Sequence, residues 1–128
     1  MSSLRSAIDE LTAIPAEDLS GEECDAELVE VNTAVVQLQA RLLELTAAAE
    51  RTRFFETLGY ISGTAWLADR LRVTYGAARR LVGLARSLRE MPATRQALAD
   101  GLIDLPRVTR LTDAHALNPE AFAREKSI

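Results

Sequence analysis

Seven arginines and only two acidic residues lie between Trp66 and Arg95. The planar guanidinium group of arginine matches phosphate oxygens and the edge of guanine, so this cluster favours a nucleic-acid ligand. Arg79 and Arg80 are best placed to enter a groove of DNA. Arg70 and Arg72 are expected to bind phosphates and set the orientation of the protein on the DNA. The residues predicted to contact double-stranded DNA are Arg70, Arg72, Tyr75, Arg79, Arg80 and Arg86.

Two amphipathic helices must position these arginines. Apolar residues recur in steps of three and four from Trp66 to Val73 and again from Ala78 to Leu88, which predicts a helix pair with a tight turn. Thr74 is placed to cap the second helix with its hydroxyl group. A basic second helix is typical of helix-turn-helix proteins, which insert that helix in the major groove.

Two residues depart from the usual helix-turn-helix pattern. Arg72 occupies the turn position where glycine is common, and a positive φ there costs a non-glycine residue about 1 kcal/mol. Ala78 stands where a branched aliphatic residue is expected. Such patterns also arise by chance in chains rich in Ala, Leu and Arg, so a purely structural helical hairpin stays open as the alternative.

A long helix is predicted from about Cys24 to Arg51, which is roughly 40 Å. Ser20 and Glu23 have the spacing of a capping box at its start. A heptad seam, called the seam below, runs along it in alternating steps of three and four: Leu28, Val31, Val35, Leu38, Leu42, Leu45 and Ala49. Either this seam packs within its own chain or it pairs with a second copy in a homodimer, and both readings stay open.

The remaining pattern is helical throughout, with no strand signal. Leu4, Ile8 and Leu11 predict a short helix before Pro15, and Asp104 is placed to cap a helix that reaches Leu117. We therefore expect an all-α helical bundle with one long amphipathic helix and a helix-turn-helix-like pair. The predicted organisation is a short helix and linker over residues 1–19, one domain over 20–120 and a truncated tail over 121–128.

The net charge of −4 is distributed unevenly along the chain. Residues 1–50 hold eleven acidic and two basic residues, a net of −9, whereas residues 51–128 hold thirteen basic and eight acidic residues, a net of +5. The basic part favours nucleic acid locally. The same division also suits a scaffold whose arginines pair with the acidic half, within or between chains.

The composition argues against several other classes of protein. No apolar run approaches the ~20 residues that span a bilayer, and the start of the chain does not read as a signal peptide. The single cysteine, Cys24, excludes an internal disulfide and fits a reducing, cytoplasmic location. His115 is the one histidine and is expected at the edge of the core, so no metal site, cofactor or catalytic constellation is predicted.

The run from Ser62 to Leu111 resembles a known family. The motifs that carry the likeness are Trp66-Leu67-Ala68, the run Gly76 to Arg80, the break at Met91-Pro92 and the run Ala97 to Gly101. They are similar to the actinobacterial domain of unknown function 222, over about residues 20–120. In that family the domain typically precedes an HNH endonuclease module, as in the 13E12 repeat proteins.

The resemblance implies a non-catalytic portion of a mobile-element nuclease. An HNH module would need a histidine-rich, metal-binding part, so this chain is not expected to be an enzyme and a nuclease module would act in trans. A helical scaffold that binds no nucleic acid, or an inactive truncated fragment, are the alternatives.

Overall fold

The computed structural model describes residues 2–117 of the chain, with side chains from residue 3 to residue 115. Over this part the fold is all-α, with seven helices and no strand, which confirms the predicted class. The helices are α1 (Ser2–Thr12), α2 (Gly21–Thr52), α3 (Phe54–Thr57), α4 (Gly63–Leu71), α5 (Tyr75–Arg89), α6 (Pro92–Ala99) and α7 (Leu105–Leu117), with a 3-10 turn at Ala16–Asp18. The tail predicted over 121–128 lies outside the described residues.

The chain divides into two compact units, Met1–Ala34 and Val35–Ile128. In the first unit the predicted capping box is confirmed at the start of α2. The Ser20 amide donates to the Glu23 carboxylate at 2.9 Å, and the Glu23 amide donates to Ser20 Oγ at 3.1 Å. The Ser20 amide and, to a smaller extent, its hydroxyl group stabilise the ionised carboxylate, so they lower the pKa of Glu23. None of the described residues of this unit is buried.

The second unit has an apolar core that centres on α5. One cluster joins α5 to the later part of α2, to α6 and to α7: Val36, Ala40, Leu43, Ala85, Leu88, Leu98 and Val108. A second cluster joins α5 to α4 through Leu67, Ala78 and Val82. Because α5 contributes to both clusters, these residues show which side of α5 faces the core. The side that contributes to neither cluster is the outward side.

The face by which α2 enters this core differs from the seam. Val36, Ala40, Leu43 and Thr46 are buried, and the Thr46 hydroxyl group is satisfied by the Leu42 carbonyl oxygen at 2.8 Å. The larger seam residues of the same unit, Val35, Leu38, Leu42 and Leu45, are instead 38–51% exposed, and Ala49 is half-buried. The core therefore uses the face with alanine and leaves the leucine-rich face in solvent.

A short connection between α2 and α4 sets where α4 begins. Arg53 adopts a left-handed conformation (φ 55°) and turns the chain into α3, where Phe55 is buried. A Cβ at Gly63 would lie 3.4 Å from the Phe55 ring, so glycine lets the start of α4 pack closely on that ring. Phe54 meets Trp66 edge-to-face, with ring centroids 6.4 Å apart.

Candidate nucleic-acid interface

The helix pair forms as the sequence predicts, with a hydrogen-bonded cap at the start of each helix. Ser62 Oγ accepts from the Ala65 amide at the start of α4, and Thr74 Oγ1 accepts from the Ala77 amide at the start of α5, both at 3.1 Å. Arg72 ends α4 in the left-handed region (φ 57°, ψ 46°). The turn therefore has the geometry that favours glycine, as expected from its position.

The outward face of α5 carries the predicted contact residues. The inward side is Ala78, Val82, Ala85 and Leu88, all buried. We use the term outward face for the residues on the other side, which are all exposed: Tyr75, Gly76, Arg79, Arg80 and Gly83. The two arginines and the two glycines are three or four positions apart, so they form one continuous patch.

Most of the predicted cations are unpaired among the residues that the structure describes. Arg70, Arg72, Arg79 and Arg80 are exposed and form no ion pair over residues 3–115. Their charges therefore remain available to an external anion.

Arg86 differs from the other predicted contact residues because it binds a carboxylate of its own chain. Its Nε atom donates to Glu50 Oε1 of α2 at 2.9 Å, and its Nη2 atom contacts the same oxygen. The neighbouring carboxylate raises the pKa of Arg86. The structure thus brings Arg79 and Arg80 together and ties Arg86 to α2, which leaves Arg86 the weakest of the predicted DNA contacts.

Gly76 and Gly83 have no internal packing reason to be glycine. A Cβ built at either position has no atom within 4 Å, apart from the chain neighbours and the backbone of the helix itself. Gly83 lies in the middle of α5, where glycine is less stable than alanine by roughly 0.5–1 kcal/mol, whereas Gly76 is the second residue of the helix. The chain therefore accepts a local loss of stability at Gly83, and the backbone is bare on both sides of Arg79 and Arg80.

A shallow depression with both polar and apolar lining residues lies beside the turn. Tyr60, Asp69, Arg72 and Tyr75 line it, and Tyr75 is 57% exposed. The Tyr60 hydroxyl group donates to the Asp69 carboxylate, and this bond raises the pKa of Tyr60. Asp69 is thereby held by a neutral donor, and neither Arg70 nor Arg72 forms an ion pair with it.

The family model described as Domain of unknown function (DUF222) matches residues 25–126, most of the chain. The chain belongs to the DUF222 family. No curated protein and no solved structure matches this DUF222 chain. The family description assigns no activity, so any function inferred for the chain rests on the geometry of the described residues.

The sequence did not identify two polar contacts in this DUF222 chain. Glu50 and Arg86 are 36 positions apart, and only the charge division of the chain pointed to such a pair. The bond from Tyr60 to Asp69 spans nine positions and leaves no periodic signal. Both contacts depend on how helices pack, which local patterns do not encode.

The one histidine of the DUF222 chain, His115, is the remaining candidate for a ligand or catalytic residue. His115 is buried, as expected, with Nε2 3.8 Å from a Glu90 carboxylate oxygen. Over the described part of the chain there is no group of three His, Cys, Asp or Glu side chains that would hold a metal ion. Within the same residues, no helix has both the length and the apolar character needed to cross a membrane.

Proposed function

We propose that this chain is the non-catalytic DNA-binding module of a mobile-element protein of the HNH-nuclease type. The observation that carries the proposal is the outward face of α5, where Arg79 and Arg80 are exposed, unpaired among the described residues and flanked by bare helix backbone at Gly76 and Gly83. An exposed pair of unneutralised arginines on a helix of a capped helix pair suits the major groove of double-stranded DNA.

In this proposal α5 lies in the groove and α4 rests against the backbone. Arg79 and Arg80 contact base edges or phosphates, since a guanidinium group can donate two parallel hydrogen bonds to guanine. Arg70 and Arg72 bind phosphates and fix the orientation of the pair. Tyr75, at the first position of α5, contributes a partly exposed ring at the same edge.

The glycines support close approach to a partner outside the chain. A helix that only had to be stable would gain from alanine at position 83, in its interior, because nothing in the chain occupies that space. A duplex backbone that comes close to α5 does require that space. The loss of helix stability is then explained by binding.

The nuclease part of the proposal rests on the family resemblance. A metal-dependent HNH module would act in trans or in a longer protein, and this chain would position it on DNA. A reducing, cytoplasmic location goes with this role, since Cys24 is the single cysteine of the sequence.

A gel-shift titration with double-stranded DNA of random sequence tests the proposal. With phosphate contacts from Arg70, Arg72, Arg79 and Arg80, affinity is expected to fall roughly a hundred-fold between about 50 mM and 200 mM salt. The double variant Arg79→Ala/Arg80→Ala is expected to lose the complex.

The matched control is Arg107→Ala/Arg110→Ala, which removes two exposed arginines from α7 that form no ion pair over the described residues. This variant is expected to bind nearly as the wild type does. Gly83→Ala is expected to melt at a higher temperature and to bind more weakly. Equal losses in both arginine variants, or no complex at low salt, would contradict the proposal.

A second candidate function is a helical scaffold that binds no nucleic acid. The observation in its favour is the seam, because its leucines and Val35 are exposed although they are apolar. The gel-shift assay distinguishes the two functions, because a scaffold forms no complex with DNA at any salt concentration. A scaffold also keeps its self-association in the Arg79→Ala/Arg80→Ala variant.

A further inference from the structure

Helix α2 carries two apolar faces, and only one of them is buried. The buried face of the second unit is Val36, Ala40, Leu43 and Thr46, and the larger seam residues of that unit are Val35, Leu38, Leu42 and Leu45. At about 100° of rotation per residue, the centres of the two faces are about 125° apart. A helix buried on one of these faces therefore presents the other to solvent.

The exposed seam residues of the second unit are regularly spaced, and Val31, which precedes them in α2, is half-buried. Leu38 and Leu45 are 46% and 51% exposed, and Leu28, which precedes them in α2 at heptad spacing, is 70% exposed. Scattered exposed apolar residues are ordinary, but a continuous stripe marks a binding surface. Alternating steps of three and four are the spacing that inserts side chains between those of another helix.

The pattern and the length of the seam indicate the kind of helix that fits it. The seam from Leu28 to Leu45 spans 18 positions, whereas α1 has 11 residues and offers only Leu4, Ile8 and Leu11 at matching spacing. The seam itself has the repeat, the length and the leucine content required of its own partner. A second copy of the chain therefore fits it best.

The distribution of charge along α2 favours an antiparallel over a parallel arrangement of the α2 helices of two copies. From Gly21 to Ala34, α2 carries five acidic residues and no basic one, whereas its later part balances Arg41 and Arg51 with Glu44 and Glu50. A parallel pair would place the two acidic segments side by side, where like charges repel. An antiparallel pair avoids this repulsion, because it places each acidic segment beside a part of α2 that has no net charge.

We propose that two copies of the chain associate through α2 as an antiparallel coiled coil. The central layers pair Val35 of one copy with Leu38 of the other, and the next layers pair Val31 with Leu42 and Leu28 with Leu45. Each pair occurs twice because the arrangement has a two-fold axis. This inference stands on the seam and does not depend on DNA binding.

Sedimentation equilibrium of the full chain tests the association. The expected mass is 28.0 kDa, twice the 14.0 kDa of one chain. Leu42→Glu, which places a carboxylate in the seam at an exposed position, is expected to give the single-chain mass with unchanged helix content. Gln37→Glu adds the same charge at an exposed position of α2 outside the seam, and is expected to stay dimeric. A wild-type chain of 14.0 kDa, or equal effects of the two variants, would overturn the proposal.

Oxidative cross-linking tests the direction. Cys24 lies at a heptad position of the seam, and in the antiparallel register it faces Ala49 of the second copy. Mild oxidation is therefore expected to leave the wild type without a disulfide-linked dimer and to link Ala49→Cys efficiently. Gln37→Cys is the control, and it is expected to remain unlinked. Efficient linkage of the wild type through Cys24 would show a parallel pair and overturn the antiparallel arrangement.

Discussion

At the scale of single residues, Arg72 combines a conformational strain with a charge at the proposed interface. It holds a left-handed conformation that costs a residue with a Cβ on the order of 1 kcal/mol. It also lies in the turn between α4 and α5, exposed and without an ion pair over residues 3–115. Stability alone would favour glycine at this position, and the proposed function gives the arginine a reason, because its guanidinium group would bind a phosphate.

We predict that Arg72→Gly separates the two effects. The free energy of unfolding is expected to rise by up to about 1 kcal/mol, because glycine adopts this conformation without strain. The dependence of DNA affinity on salt is expected to weaken by about 0.9 in logarithmic slope, the value for one phosphate contact. Denaturant unfolding and salt-dependent gel shifts measure the two changes.

Arg53 provides the control because it has the same backbone conformation (φ 55°) away from the helix pair. Its exposed pair with Glu56 contributes little to stability. Arg53→Gly is expected to leave DNA affinity and its salt dependence unchanged. If Arg72→Gly also leaves both unchanged, Arg72 is not part of the interface.

At the scale of elements, the start of α2 is fixed by the capping box of Ser20 and Glu23. The pKa of Glu23 lies below its ordinary value of 4.5, because the Ser20 amide and hydroxyl groups stabilise the carboxylate. A carboxyl group with a lowered pKa in the folded state stabilises that state above pH 4.5. This contribution is lost as the pH falls through the lowered pKa.

We therefore predict that helix content decreases on acidification from about pH 7 to about pH 3, and that part of the decrease is absent from Glu23→Gln. Circular dichroism at several pH values measures it. Glu22→Gln, which changes the neighbouring acidic residue, is expected to retain the wild-type profile. An identical pH profile for Glu23→Gln and the wild type would exclude a role for the capping box in this transition.

The pair of Glu50 and Arg86 connects α2 to α5 and withdraws one cation from the outward side of α5. We predict that Glu50→Gln frees that cation, so the salt dependence of DNA affinity steepens by up to about 0.9 in logarithmic slope. The loss of stability is expected to stay below about 1 kcal/mol, because the Arg86 side chain is 60% exposed.

Glu44→Gln is the matched control for this prediction. It removes an acidic residue of α2 that pairs with Arg41 of the same helix and not with α5. Gel shifts of the two variants over a range of salt concentrations make the comparison. A steeper slope in both variants would point to total charge as the cause, and the pair with Arg86 would then have no specific effect.

At the scale of the whole molecule, association through α2 makes stability depend on concentration. Because the partner binds only the folded chain, dimerisation raises the melting temperature as protein concentration increases. We predict this shift for the wild type and its absence in Leu38→Glu/Leu42→Glu. Thermal melts over a roughly hundred-fold range of protein concentration measure it, and a concentration-independent wild type would contradict the dimer.

The sequence predicted the helices and their caps well because both are local. The bonds of Ser20, Thr74 and Asp104 to the amides three positions later follow from residue type and spacing alone. The left-handed turn at Arg72 followed from its place between two apolar patterns. These features need no knowledge of the tertiary fold.

The sequence could not decide which face of α2 enters the core. The seam has the more regular repeat and more leucine, yet the core uses Val36, Ala40 and Leu43. The pair of Glu50 and Arg86 likewise requires that packing. At the candidate site, the exposure of Arg79 and Arg80 was predicted and the involvement of Arg86 with α2 was not.

Ala78 has no exposed surface, and it lies where α4 and α5 press together beside Leu67. One methyl group thus sets the separation of the two helices. A larger residue such as valine would act as a wedge there and tilt α5 without altering any charge. Larger residues at Ala78 are therefore expected to give temperature-sensitive variants, in which α4 and α5 keep their packing at low temperature and lose it on warming.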